Sequence, residues 1–159
     1  MGIGFIGEIE CKIDAKGRLL VPKAFQKQMP NEANDCLVAV SNTTGNCLVL
    51  YTEPKWKHVI EPLLALNVQR EENVELVRRF LQYATTLDFD AQNRIMIPKR
   101  LMDFVRLKKD VILFGMIDRI ELWDKQLHQQ AMETAGNRPF EEISQLYDGY
   151  TGGESPLVK

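Results

Sequence analysis

A five-residue block occurs twice in this chain and constrains its fold more than any other feature. It is Asp-Ala-Lys-Gly-Arg at residues 14–18 and Asp-Ala-Gln-Asn-Arg at residues 90–94, and each copy is followed by three apolar residues, a proline and a lysine. The spacing is constant, since 90 − 14, 94 − 18 and 98 − 22 all give 76. A duplicated unit at a fixed spacing predicts two copies of one structural element.

The block has the composition of a turn between two strands. Gly17 and Asn93 occupy the same position in the two copies, and these residue types best tolerate a positive φ. The aspartate three residues earlier can accept hydrogen bonds from the turn backbone. The block therefore predicts a type I turn closed by a left-handed residue, with Arg18 and Arg94 beginning the return strands.

Each copy of the block is also followed by a helix start and preceded by a strand. Pro22 and Pro98 suit the first turn of a helix, where the missing N–H is not needed. Apolar and polar residues alternate over residues 5–13, which is typical of a half-buried strand. Each copy therefore predicts strand, turn, strand and helix. Paired apolar runs predict two further hairpins, one at 36–40 and 47–51 and one at 111–115 and 120–123.

Two amphipathic helices are predicted between the copies. Thr52 is a candidate N-cap for the first, and Pro62 lies inside its pattern, where a kink or break is expected. The apolar stripes favour core packing or a subunit interface; they are Trp56, Val59, Ile60, Leu63 and Leu64 in the first helix and Val74, Val77, Phe80, Leu81 and Ala84 in the second.

The composition excludes several classes of protein. Its 159 residues, 45% apolar and 26% charged, are typical of a globular protein of one or two small domains. No apolar run approaches membrane-spanning length, and a secretory leader is not expected, because residues 1–7 lack a basic segment and a long apolar segment. The three cysteines predict reduced thiols in a cytoplasm, with Cys11 and Cys36 as small core residues. Its two histidines lack a ligand cluster, so no metal or other cofactor is expected.

The charge distribution is more informative than the net charge of −2. Residues 12–28 carry five cationic side chains against one acidic, and residues 88–109 carry six against three. Residues 133–159 carry two against five. Positive charge is therefore concentrated at the two repeated blocks, where it would steer an anionic partner even though the whole chain is acidic.

The duplicated Asp-x-x-x-Arg motif, each copy with its apolar triplet and proline, resembles the MraZ family of bacterial transcriptional regulators. Gly7-Glu8, Trp123-Asp124 and the repeat spacing belong to the same resemblance, which covers roughly residues 3–135. It implies an α+β fold of two tandem AbrB-like swapped-hairpin β-barrel halves with short helices, joined by a two-helix linker. The expected divisions are a first domain at 3–52, the linker at 53–83, a second domain at 84–126, and a C-terminal helix with an acidic, flexible tail at 127–159.

The resemblance also implies a function and a site. The family regulates the promoter of the division and cell-wall gene cluster, assembles into rings, and contacts tandem DNA repeats through its Asp-x-x-x-Arg loops; it is cytoplasmic and nucleoid-associated. Carried to this chain, the DNA-binding residues are Asp14, Arg18, Asp90 and Arg94, to which charge alone adds Lys16, Lys23, Lys99 and Arg100. The second loop departs from the pattern because Gln92 and Asn93 stand where Lys and Gly are commoner.

Two alternatives remain beside the regulator. Residue chemistry alone is compatible with Asp-x-x-x-Arg as a turn held by an exposed ion pair, which would be structural. A protein-binding assembly or antitoxin-like module, in which the loops are structural, is the competing functional class. Enzymatic activity is not expected, because the sequence has no nucleophile elbow, phosphate-binding glycine loop, metal-ligand spacing or Cys/His pair.

Overall fold

A computed structural model describes residues 2–29, 36–42 and 44–136 of the chain. The first repeat contains β1 (Phe5–Lys12), β2 (Arg18–Leu20), α1 (Lys23–Gln26), β3 (Cys36–Ser41) and β4 (Leu48–Thr52). Helices α2 (Glu53–Leu64) and α3 (Glu71–Leu81) follow. The second repeat contains β5 (Thr85–Asp88), β6 (Arg94–Met96), α4 (Lys99–Phe104), β7 (Asp110–Ile117) and β8 (Ile120–Asp124), before α5 (Lys125–Ala135). The protein is therefore α+β, as expected.

Two sheets organise these strands, and both mix the repeats. The larger has six strands in the order β1-β7-β8-β4-β3-β5, and the smaller pairs β2 with β6. The first strand of each repeat pairs antiparallel with the third strand of the other, β1 with β7 and β5 with β3. The repeats are thus interleaved, with strands exchanged between them inside one chain.

The predicted hairpins of each repeat are present. β3 pairs with β4 and β7 pairs with β8, both antiparallel. The return strands behave differently. β2 forms no ladder with β1 and is bridged only at Leu19 to Ile13, the residue after β1, whereas its full partner is β6. The turn after β1 therefore redirects the chain into the other repeat instead of closing a regular hairpin.

One core is shared by both repeats. Its side chains come from the inner faces of the strands and from the short helices after the prolines; they include Phe5, Ile13, Leu19, Phe25, Leu37, Leu50, Ile95, Leu101, Leu113 and Leu122. Phe25 packs edge-on against Phe5, with ring centroids 5.8 Å apart. Pro22 and Pro98 are the N-cap residues of α1 and α4, so each helix begins one residue after the proline and not, as predicted from the sequence, at the proline itself. Cys36 is buried as predicted, whereas Cys11 is only half-buried.

The two middle helices are only partly covered. Thr52 is the N-cap of α2, since its hydroxyl accepts a hydrogen bond from the N–H of Lys55. Of the kink or break expected at Pro62, the break is wrong, because α2 continues through Pro62 to Leu64 and ends within the same turn. Trp56 and Val59 pack against a cluster of Val40, Val49 and Tyr51.

Of the other stripe residues, Leu64 and Leu81 are exposed, at 77% and 42%, and the rest are half-buried. Leu76, which lies on α3 outside the stripe, is 51% exposed. Among the described helices, none is both long and apolar enough to cross a membrane. The chain forms two compact units, residues 1–125 and 126–159, and the described part of the second is most of α5. Residues 30–35 and most of the acidic tail predicted within 127–159, from residue 137 onward, lie outside the described residues.

Candidate nucleic-acid interface

The first repeated block forms a turn that Asp14 holds from inside. The carboxylate Oδ1 of Asp14 accepts hydrogen bonds from the backbone N–H groups of Lys16 and Arg18, both at 2.9 Å. Its second oxygen accepts from Nε of Arg18 at 2.7 Å. The turn is closed by the N–H of Gly17 donating to the carbonyl of Asp14, and Gly17 is left-handed with φ of 85°. The predicted turn chemistry is confirmed.

The second block repeats this geometry. Oδ1 of Asp90 accepts from the N–H groups of Gln92 and Arg94 at 2.9 Å, and Oδ2 accepts from Nε of Arg94 at 2.8 Å. Asn93 is left-handed with φ of 61°. One contact differs: Nη2 of Arg94 also donates to the side-chain oxygen of Gln92 at 3.3 Å. The second arginine is therefore tied to its own loop more than the first.

The same contacts set the charge state of the two aspartates. The backbone N–H of Arg18, followed by its guanidinium and the N–H of Lys16, lowers the pKa of Asp14 below its ordinary value. The N–H and guanidinium of Arg94 and the N–H of Gln92 lower the pKa of Asp90 likewise. Hydrogen bonds to the ionised form produce such a shift. Both carboxylates are therefore charged at neutral pH and orient their arginines.

A two-stranded ribbon, formed by β2 and β6, joins the two loops; it is called the central ribbon below. Its register pairs Arg18 with Met96, Leu19 with Ile95, and Leu20 with Arg94. The loops lie at its opposite ends, because the strands are antiparallel. Each loop is also bonded to the other repeat, since the N–H of Ile97 donates to the carbonyl of Gly17 and the N–H of Val21 to that of Asn93. The two sites form one structural unit.

The two faces of the central ribbon differ in burial. Leu19 and Ile95 are fully buried, whereas Leu20 is 58% and Met96 56% exposed. Arg18 and Arg94 alternate with the buried pair and therefore share the outer face with Leu20 and Met96. Sequence reasoning missed Leu20 and Met96 as surface residues by treating the apolar triplets as units. The period of two in a strand could have separated their middle position from the buried ones.

The remaining candidate cations lie in different surroundings. Lys16 is exposed on the first loop and Lys23 at the start of α1. Lys99 is exposed at the start of α4, with Asp103 at 3.9 Å. Arg100 is engaged elsewhere: its Nη2 donates to the carbonyl of Gln82 at 3.0 Å, and its guanidinium lies 4.6 Å from the ring centre of Tyr83. Arg100 thus fastens α4 to the end of α3.

Comparisons with known proteins agree with the duplication. A family model described as "MraZ protein, putative antitoxin-like" matches residues 5–79 and again 80–146. A protein of Christiangramia forsetii is 36% identical over 85% of this chain and 87% of its own length, and one of Flavobacterium psychrophilum is 33% identical over 80% and 82%. One of Caldanaerobacter subterraneus subsp. tengcongensis is 30% identical over 91% and 97%. All three are named "Transcriptional regulator MraZ". The chain belongs to the MraZ family.

Proposed function

We propose that this protein is a sequence-specific DNA-binding transcriptional regulator that binds duplex DNA through its two Asp-x-x-x-Arg loops. The observation that carries the proposal is the shared placement of Arg18 and Arg94 on the outer face of the central ribbon, each fixed through Nε by its own aspartate. The names of the relatives support transcriptional regulation.

The arrangement of each arginine suits recognition of a base edge. Asp14 holds Arg18 at Nε, and no described residue forms a hydrogen bond with its two terminal nitrogens. A guanidinium held in this way can donate two parallel hydrogen bonds to O6 and N7 of guanine. Because the aspartate fixes the side chain before binding, less conformational entropy is lost on contact.

The two-stranded ribbon that carries the arginines suits the same role. A two-stranded ribbon fits the major groove of B-form DNA, where all four base pairs can be distinguished. Lys16, Lys23 and Lys99 are exposed near the loops and would contact phosphates, which position the protein without specifying sequence. Arg100 contributes less directly, since its guanidinium is held against Tyr83.

The wider function is part of the same proposal and rests on the family resemblance. The protein acts on the promoter of the division and cell-wall gene cluster, in the cytoplasm and at the nucleoid, and has no enzymatic role. A ring of copies would present many loops, each of which binds DNA weakly, to tandem repeats in the DNA, and multivalency would raise the overall affinity. The domain divisions at 3–52, 53–83, 84–126 and 127–159 remain predictions.

A titration of DNA from upstream of the protein's own gene, beside a scrambled duplex of equal length and composition, tests the proposal. We expect preferential binding to the upstream duplex, a steep loss of affinity between two salt concentrations, and abolition by Arg18→Ala. Lys57→Ala, on the exposed surface of α2, is the matched control for loss of one positive charge. Equal weak binding to both duplexes would refute sequence-specific recognition.

A second candidate is the protein-binding or antitoxin-like module. It is favoured by the exposed apolar residues of the middle helices, such as Leu64 and Leu76, and by the family description as putative antitoxin-like. Purification of the native complex from its own cells distinguishes the two. A stoichiometric protein partner that is lost with Leu76→Ser and retained with Arg18→Ala would favour this alternative.

A further inference from the structure

The outer face of the central ribbon alternates charge and apolar surface in both directions. Along each strand, Arg18 is followed two residues later by Leu20, and Arg94 by Met96. Across the strands, Arg18 lies opposite Met96, and Leu20 lies opposite Arg94. Directly opposed side chains in an antiparallel pair have Cβ atoms about 5 Å apart. Each exposed apolar side chain therefore lies beside the arginine of the other repeat.

The exposure of these two side chains is not explained by the fold. The core beneath the ribbon is completed by Leu19 and Ile95, both fully buried, whereas more than half of Leu20 and of Met96 faces solvent. A single exposed apolar residue needs no explanation. Here the same strand position carries a large apolar side chain in both repeats, since 96 − 20 is also 76. A shared surface role accounts for this pairing.

The charges on either side restrict what can cover this face. A partner must accept hydrogen bonds at the two arginines and supply apolar groups within a few ångströms of them. The major groove of DNA meets both conditions, because guanine presents O6 and N7, and thymine presents an outward-facing C5-methyl group. The side chain of Leu has no hydrogen-bonding group and that of Met has only a weak acceptor, so a methyl group is a matched contact for both.

We infer that Leu20 and Met96 contact thymine C5-methyl groups in the major groove and thereby determine part of the DNA sequence preference. The inference rests on the proposed function, because it places the central ribbon against DNA. Arginine selects guanine and the adjacent apolar side chain selects thymine. Since each arginine lies opposite the apolar residue of the other repeat, the preferred site has a guanine contact and a thymine contact close together at each end of the ribbon.

Replacing thymine by uracil in the upstream duplex tests this contact directly, since it removes only the methyl group and keeps the base-pairing groups. Wild-type protein is titrated with the normal duplex and with a duplex in which every thymine is deoxyuridine. We expect affinity to fall about fourfold for each contacted methyl group, which corresponds to burial of one CH₂-sized group. Two contacts in one ribbon would together give a fall of about sixteenfold.

Three variants show whether the loss of DNA affinity on removal of the methyl groups depends on these two side chains. Leu20→Ala with Met96→Ala should bind the normal duplex as weakly as wild type binds the deoxyuridine duplex, and should bind both duplexes equally. Leu20→Met with Met96→Leu should restore the preference for thymine. Leu64→Ala, an exposed leucine at the end of α2, is the matched control and should discriminate as wild type does. Thermal unfolding of each variant checks that it is folded.

The outcomes separate this inference from the proposed function. Equal wild-type affinity for the two duplexes, with Arg18→Ala still abolishing binding, overturns the methyl contact and leaves the regulator intact. Absence of any preference for the upstream duplex over the scrambled one refutes the regulator itself, and the inference with it. If the double alanine variant changes the oligomeric mass in light scattering while thymine discrimination persists, the two side chains contact a second copy, and the inference is wrong.

Discussion

The backbone carbonyl of Gly17 accepts a hydrogen bond of 2.8 Å from the N–H of Ile97, so the turn of the first repeat is bonded to the strand of the second. The reciprocal bond runs from the N–H of Val21 to the carbonyl of Asn93 at 3.2 Å. Ile97 and Val21 each directly precede a proline, and both are buried. The geometry of the two loops therefore depends on residues 80 and 72 positions away in sequence.

Gly17→Ala should destabilise the protein by about 1–2 kcal/mol, the cost of a left-handed conformation for an L-residue. Gly17 has φ of 85°, and an added Cβ would lie 3.0 Å from the carbonyl oxygen of Ile97, which is rigid backbone. Urea denaturation measures the change. Asn93→Gly is the matched control, because glycine also accepts φ of 61°, and it should lower stability by less than Gly17→Ala. Equal stability of Gly17→Ala and wild type would contradict the strain argument.

Substitutions of Asp14 should separate its two structural contributions. Asp14→Asn keeps an oxygen that can accept from the N–H groups of Lys16 and Arg18, but loses the ion pair with Nε of Arg18. Asp14→Ala loses both. We expect the urea midpoint to fall in the order wild type, Asp14→Asn, Asp14→Ala. A midpoint for Asp14→Asn as low as that of Asp14→Ala would show that the charge, and not the turn hydrogen bonds, holds the loop.

The local chemistry of these loops could be predicted from sequence, whereas their connection could not. A left-handed Gly17, an Asp14 that accepts from the turn backbone, and a turn in each block all follow from residue type and short spacing. Pairing of β2 with β6 is a contact between distant segments, and each strand has only three residues. A periodicity over three residues does not identify a partner strand, so the outer face with Leu20 and Met96 became visible only in the structure.

The site prediction had a similar limit. Charge and position were sufficient to select Lys16, Lys23 and Lys99, which are exposed. Arg100 was selected by the same criterion, although its guanidinium lies on Tyr83 and donates to Gln82. Nothing within the sequence of α4 indicates that contact, because Tyr83 precedes Arg100 by 17 positions. A count of charges cannot tell a cation held by an aromatic ring from a free one.

Acid should weaken the loops in a defined pH range. Contacts with Arg18 and Arg94 lower the pKa values of Asp14 and Asp90 in the folded state relative to the ordinary value of 3.8. A lowered folded pKa means that the contribution to stability is present above pH 3.8 and is lost as pH falls through the lower value. Stability measured by urea denaturation between pH 7 and pH 2.5 should therefore fall on the acid side.

A double variant isolates this part of the pH dependence. Asp14→Asn with Asp90→Asn cannot titrate at either loop, so its stability should fall less steeply with acid than that of wild type. Asp118 provides a comparison, since the guanidinium of Arg119, with Lys55, lowers its pKa to about 2, and this group is unchanged in the double variant. If the stability of the two proteins falls equally steeply with acid, the loop carboxylates have the same pKa in the folded and unfolded states.

The two loops should contribute unequally to DNA binding. Arg18→Ala should lower DNA affinity more than Arg94→Ala. The first loop is the more cationic of the two, because it has Lys16 where the second has Gln92, and Nη2 of Arg94 is partly engaged by Gln92. Gln92→Lys should raise affinity and steepen the dependence of log affinity on log salt by roughly one phosphate contact. A titration of the upstream duplex at several salt concentrations measures both. Equal losses for the two arginine variants would show that the difference between the loops has no consequence.

Trp56 should control how firmly the middle helices are held on the sheet. Its ring stacks on Phe80 of α3, with centroids 5.8 Å apart and planes 8° from parallel, and lies 6.2 Å from the ring of Tyr51 on β4. It therefore connects both helices to the sheet. Trp56→Ala should cost about 2 kcal/mol, less than the 3–5 kcal/mol typical of a fully buried tryptophan, because Trp56 is half-buried.

Hydrogen exchange distinguishes loss of this stack from a general loss of stability. In Trp56→Ala, amides of α3 should exchange faster by a larger factor than those of β3 and β4, because α3 depends on the stack through Phe80. Trp56→Phe keeps an aromatic ring and should restore most of the protection. Leu64→Ala, which removes an exposed side chain of the same helix, should leave α3 unchanged. If α3 in Trp56→Ala retains wild-type protection, its attachment comes from other contacts, such as that of Arg100 with the carbonyl of Gln82.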